Sequence, residues 1–260
     1  WPPDYNQVLA WRQQQLARFE SDAAYLEDAI AYYAQPSAEA CSDFICHWCD
    51  TYDPRLVLSG RSPWMPLVMF QRQGELVDFV HMCMEGDASG MIEKARDMGA
   101  TWVCISITNK LFIFHGGVAV GWGSNKDEQV DKIGDLDAIF ERVRQQLLRI
   151  PTVFRPTLTE GVDLKFKVCH NPVNGAVVRG QGGKNIGRGG RSRVYFVDEA
   201  AHLDRPESAE AALSENTRCR IDISSVSKPG TIFHQSRETG QEGSPGAAVR
   251  RDVTNVFVMD

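Results

Sequence analysis

From Ser89 onward the chain alternates short apolar runs of strand character with amphipathic helical stretches. The runs are "GMIEK", "GGVAVGW", "LKFKVCH", "GAVVRG", "RVYFVDEA", "CRIDISSV" and "NVFVMD"; helical spacing covers residues 99–112 and 126–148. This alternation constrains the fold more than any other feature. Parallel strands need a crossover, and a helix is the usual one, so the pattern predicts a mostly parallel α/β sheet with helices on both faces. Ahead of it, Val8, Trp11, Leu16, Phe19, Leu26, Ile30 and Tyr33 recur at helical spacing and predict one or two helices. Pro36-Ser37 breaks them, and Ser37 with Glu39 starts another helix running to about Cys49. A Pro/Gly/Ser-rich loop, "DPRLVLSGRSPWMP", precedes further helical spacing over residues 67–84. The chain therefore divides into an N-terminal helical segment, 1–60, and an α/β core, 61–260.

At 260 residues, 43% hydrophobic and 24% charged, the chain is long enough for one large α/β domain or a domain with an appendage. A net charge of -6 argues against wholesale coating of nucleic acid but leaves room for a local basic patch. No apolar run reaches bilayer-spanning length, and the first residues lack the basic and apolar regions of a signal peptide. Seven cysteines, an odd number scattered through apolar stretches, read as reduced cytosolic thiols. The ending "NVFVMD", an apolar run with no tail, reads as the edge of a piece of a longer protein.

Two segments carry chemistry. "RVYFVDEAAHL" runs four buried-strand residues into adjacent acids, Asp198 and Glu199. At the C-terminal end of a parallel strand such acids face the crevice where α/β sheets bind ligands. Phosphoryl transfer needs a carboxylate near Mg²⁺, the role for Asp198, and a residue that orients or deprotonates water, the role for Glu199. Alone, the segment reads equally well as a strand capped by two solvated acids. The second, "KARDMGATW", sits on a strand-to-helix turn, where a phosphate loop belongs, but departs from G-x-x-x-x-G-K-[ST]. Lys94 stands where the first glycine belongs and Ala100 where the lysine belongs. Backbone N–H groups around Gly99, Ala100 and Thr101 suit phosphate oxygens, and the Thr101 hydroxyl suits Mg²⁺. Lys94 or Arg96 has to supply the cation. In isolation this segment also reads as a helix start with surface charges.

Together these segments resemble the ATPase half of the large terminase subunit of tailed bacteriophages, a motor that pumps DNA into procapsids. Its loop commonly carries a basic residue at its start, an internal arginine and then Gly-x-[Ser/Thr], matched by Lys94, Arg96, Gly99 and Thr101; its acidic strand is matched by "VYFVDEAA". The resemblance spans residues 40–260 as an ordered set of motifs. It implies a P-loop NTPase of the ASCE/RecA-like class with Walker A and Walker B motifs, and an N-terminal helical extension. It implies ATP and Mg²⁺ as cofactors, Glu199 as catalytic base, and Arg96 or Lys94 stabilising the transferred phosphoryl group. It further makes Gln71, in "PLVMFQRQGELVDFV", the adenine reader, and Ser224 and Ser225, in "DISSVSKPGTIFHQS", the coupling residues. Read from residues alone, Gln71 is better taken as an exposed helix-face glutamine and the serines as an ordinary strand-to-turn pair. Arg188 and Arg191, in the Gly/Arg-rich "RGQGGKNIGRGGRSR", become candidates for a DNA contact or an arginine reaching a neighbouring subunit. A mobile solubilising loop is the other reading. The implied partners are double-stranded DNA, a portal protein and a small terminase subunit, within a homo-oligomeric ring, with a monomer in isolation. The implied setting is the host cytoplasm during virion assembly, with no membrane, and a nuclease half is expected only beyond this chain. A helicase-type ATPase and a nucleic-acid-binding module with a decayed ATP site are the alternatives.

Two features read as decoys. Cys41, Cys46, Cys49 and His47 lie in an amphipathic helical pattern without a second paired knuckle, and read as core packing rather than a zinc site. The remaining histidines follow no ligand spacing; His202, just after the acids, is a structural or supporting residue.

Overall fold

The computed structural model describes residues 4–225, 230–242 and 249–259. Residues 226–229 of the expected coupling segment and the terminal Asp260 lie outside them. Three helices open the chain: α1 (Tyr5–Ser21), α2 (Ala23–Tyr33) and α3 (Ala38–Trp48). Each starts on a side-chain cap, from Asp4, Asp22 and Ser37 respectively, that accepts otherwise orphaned backbone N–H groups. A hairpin of β1 (Asp50–Tyr52) and β2 (Trp64–Pro66) pairs Asp50 with Pro66. It straddles the boundary expected at residue 60. Then follow α4 (Gln71–Gly86), β3 (Gly90–Lys94), α5 (Ala100–Phe114) and β4 (Ala119–Ser124). After them come α6 (Asp127–Val130), α7 (Ile139–Arg149), β5 (Leu164–Lys165), β6 (Val168–His170) and β7 (Val177–Gly182). The chain continues through β8 (Val194–Asp198), α8 (Pro206–Asn216), β9 (Arg220–Ser224), α9 (Ile232–Thr239), β10 (Gln241–Glu242) and β11 (Asn255–Met259).

The main sheet has nine strands in the order β10-β11-β3-β9-β8-β4-β7-β6-β5. The seven from β10 to β7 are mutually parallel, as the strand-helix alternation predicts. "LKFKVCH" instead folds as a tight antiparallel hairpin, β5–β6, on the β7 edge, because there is no room in it for a crossover. Alternate residues of the central strands enter different cores. Ile92, Val194, Phe196, Ile221 and Phe257 join α1–α5 and α7 on one face, whereas Met91, Tyr195, Val197 and Val256 meet α8 and α9 on the other. The N-terminal helices share the larger core: Phe19, Tyr33, Phe44 and Trp48 belong to the cluster that reaches Met259. Gly121 is a packing requirement, since a Cβ there would sit 2.0 Å from the Tyr195 ring.

The helix expected over 126–148 is interrupted. Residues 131–138 form a loop through Gly134 (φ 80°), and α7 begins only at Ile139. Asp131 is drawn out of helical register to accept from the Arg144 guanidinium (3.0 and 2.6 Å), which also bonds Glu141. A helix running straight through would carry Asp131 away from that buried partner.

Candidate nucleotide-binding site

Because β3, β9, β8 and β4 are parallel neighbours, their C-terminal ends open on one edge of the sheet. Pairing of Glu93 with Ser224 and of Ile223 with Asp198 brings Lys94, Ser224, Asp198 and Glu199 together from three strands. A cleft of about 950 Å³ lies over this edge, within the size range of small-molecule sites. Its far wall includes Tyr5 of α1 and Tyr52 and Met65 of the β1–β2 hairpin, so the N-terminal segment helps to build it.

The loop between β3 and α5 forms the floor. Gly99 adopts φ 74°, the left-handed region that favours glycine, and a Cβ there would lie 2.7 Å from Gln73 Nε2. Ala100 and Thr101 form the first turn of α5, whose free N–H groups and positive dipole end suit phosphate oxygens. Thr101 Oγ1 donates to Asp198 Oδ1 at 3.1 Å, and Lys94 Nζ lies 3.1 Å from Glu199 Oε1. Ser224 Oγ donates to Glu199 Oε2 at 3.2 Å. Glu199 itself holds φ 53°, a left-handed conformation costly for a side chain with a Cβ and typical of functional sites. Burial pushes the Asp198 carboxyl up, the neighbouring Glu199 carboxylate adds to this, and Lys94, Arg142 and the Thr101 hydroxyl oppose it.

The other candidates fall in different places. Arg96 is exposed on the loop, lining the cleft with no hydrogen bond or ion pair among the described residues. Lys94, at 12% side-chain exposure, is held between the strands. Gln71 is exposed and bonds Glu75 within α4, outside the cleft. Gln73, two residues on, is buried in the wall: its Oε1 accepts from Phe70 N at 2.9 Å and its Nε2 donates to Met98 O at 3.0 Å. A glutamine three residues past a helix N-cap was the available signal. Ser225 follows β9 and lines no part of the cleft; Arg188 and Arg191 are exposed and do not line it either. Arg191 borders a separate pocket with Arg193, Arg218 and Asp87 near the N-terminal ends of β8 and β9, the opposite edge of the sheet. His202 Nε2 stands 3.9 Å from Glu199 Oε2. Cys41 and Cys49 are buried in the core beside Trp48, and His47 accepts or donates with Tyr33 Oη at 2.9 Å.

A divalent cation finds a limited donor set here, the Thr101 hydroxyl and the Asp198 carboxylate. No cluster of three or more His, Cys, Asp or Glu suited to a metal occurs among the described residues. That set fits Mg²⁺, which keeps several waters and takes one or two protein donors plus substrate phosphates.

The chain is similar in structure to the large terminase of bacteriophage HK97, with a TM-score of 0.53 at 17% identity. The match covers 72% of this chain. The two share a fold. The chain spans 37% of that terminase's length. A looser likeness, TM-score 0.46 at 16% identity, is to the large terminase ATPase domain of Thermus phage P74-26, covering 66% of this chain and 76% of that one. No protein-family model and no curated protein matches the sequence.

Proposed function

We propose that this chain is a terminase-type ATPase whose hydrolysis drives double-stranded DNA into a procapsid. The observation that carries the reading is the double pairing at the head of α5, Thr101 with Asp198 and Lys94 with Glu199. It joins a phosphate-loop geometry to an acidic strand despite the absent loop lysine. The N–H groups of Gly99, Ala100 and Thr101 cradle the phosphates. Thr101 and Asp198 would hold Mg²⁺, which would neutralise charge on the phosphate oxygens. Glu199, the base, orients the attacking water and takes its proton. Lys94 leaves its ion pair to stabilise the transferred group, with Arg96 as the loop's outer cation. Ser224, bonded to the same glutamate, passes the change in Glu199 along β9, with Ser225 beyond it. Arg188 and Arg191, away from the chain's own cleft, are free to meet DNA or a neighbouring subunit's nucleotide in a homo-oligomeric ring. Portal protein and small terminase subunit are the remaining partners, in the host cytoplasm; no helix among the described residues is long and apolar enough to cross a membrane.

The test is ATP hydrolysis with and without double-stranded DNA, in wild type and Lys94→Ala. Loss of one charge-stabilising group is expected to lower the rate about 10²-fold or more. A Lys94→Ala rate equal to wild type contradicts the role given to this lysine.

A further inference from the structure

Arg142 occupies the cleft from a direction the sequence does not announce. It lies in the first turns of α7 and lines the cleft together with Thr101, Trp102 and Asp198. Its guanidinium stands over the Trp102 ring, 5.7 Å from the centroid. Nε donates to Leu136 O, and Nη2 is 3.8 Å from Asp137, a carboxylate fully exposed to water. Among the described residues the Nη groups make no hydrogen bond, although the side chain is only 20% exposed. An arginine tethered at Nε, set over an aromatic ring and held at its fork only by a long ion pair to a solvated carboxylate is ready for a planar or tetrahedral anion.

Its position relative to Lys94 gives the anion a place. Lys94 reaches the cleft from the end of β3, and Arg142 reaches it from α7, which packs against α5. Both cations line the cleft with Asp198, and both favour its charged form. We propose that Arg142 is a second, intramolecular cation for the terminal phosphate of the bound nucleoside triphosphate, acting together with Lys94. This rests on the ATPase reading above and adds to it a group that discriminates triphosphate from diphosphate. The loop 131–138, which carries Leu136 and Asp137, then sets where the guanidinium stands. Interruption of the helix at Gly134 puts Arg142 near the start of α7, instead of mid-way along a longer helix.

Binding of ADP and of a non-hydrolysable ATP analogue to the chain, each with Mg²⁺, tests this without requiring turnover. In Arg142→Ala the analogue is expected to bind at least about 10-fold more weakly, a value for one lost charge-assisted contact. ADP affinity is expected to stay within about twofold, with an unchanged unfolding temperature. Arg142→Lys is expected to recover part of the analogue binding, since it keeps the charge without the fork. If Arg142→Ala does not fold, Arg142→Gln carries the same expectation. Equal weakening of ADP and analogue, or a lowered unfolding temperature with no recovery in Arg142→Lys, makes Arg142 a structural clip and overturns the proposal. Unchanged analogue binding overturns it as well. Failure of wild type to bind either nucleotide sinks the ATPase reading instead, a distinguishable outcome.

Discussion

Gly99 carries two constraints at once: a left-handed backbone at φ 74° and a neighbour, Gln73 Nε2, where a Cβ would go. Gly99→Ala is therefore expected to cost about 1–2 kcal/mol from the backbone alone, to displace Gln73, and to weaken nucleotide binding. Urea unfolding and nucleotide titration check both; an alanine variant with wild-type stability and affinity contradicts the claim. The glutamine pair shows what sequence conveys at this scale. Residue types in "FQRQ" point to a glutamine at the head of α4, but a helix turns 100° per residue, so only the structure tells Gln71, facing water, from Gln73, facing the loop. Lys94 and Arg96 divide in the same way. Strand alternation leaves Lys94 between β9 and β11 at the sheet edge, while Arg96 falls in the exposed loop. Arg142 carries no sequence signal, because its place depends on where α7 begins.

Among elements, the break between α6 and α7 is the feature least legible beforehand. Periodicity over 126–148 is genuine, and α7 keeps it, but periodicity does not register that Asp131 is needed elsewhere. The Asp131 and Glu141 side chains are 0% and 7% exposed and share one guanidinium, Arg144. Asp131 also accepts from Lys167 N, tying the loop to the β5–β6 hairpin. Arg144→Leu leaves two buried carboxylates without their cation, and is expected to destabilise the fold by about 3–5 kcal/mol. Denaturant unfolding measures this; a loss below about 1 kcal/mol would show that water, not Arg144, satisfies the pair. Strands β3, β4, β7, β8, β9 and β11 were legible because each is short, apolar and bounded by turn residues, whereas β1, β2 and β10 were not, β2 lying within the Pro/Gly/Ser-rich stretch. The antiparallel turn of "LKFKVCH" was not, since direction depends on crossover length rather than on the strand itself.

Across the whole molecule, α1–α3 are part of the same core as the sheet, not an appendage, and His81 of α4 marks the seam. Buried near Lys110 and His115 and bonded to the Pro36 backbone, it is held neutral, its pKa lowered from 6.5 to about 4 mainly by burial. The unfolded chain takes up this proton near pH 6.5 and the folded chain only near 4, so the unfolded state binds more protons in between. Stability from this site is full above pH 6.5 and falls as pH drops toward 4, by about 3 kcal/mol in all. Burial lowers His47 and His115 too, adding to the same slope. His81→Gln is expected to flatten the pH dependence of urea unfolding between 6.5 and 4.5; an unchanged slope contradicts the neutral, buried state.

The fold delivers a strand, a left-handed glycine and a helix N-terminus to the floor of the cleft, with an acidic strand end directly against them. Function turns on whether Glu199 is the base that this convergence implies. The direct measurement is DNA-stimulated ATP hydrolysis by Glu199→Gln, alongside its ATP affinity. The expected result is a rate lowered by about 10²–10⁴-fold, the usual contribution of a general base, with ATP binding within about threefold of wild type. Hydrolysis at the wild-type rate would contradict it.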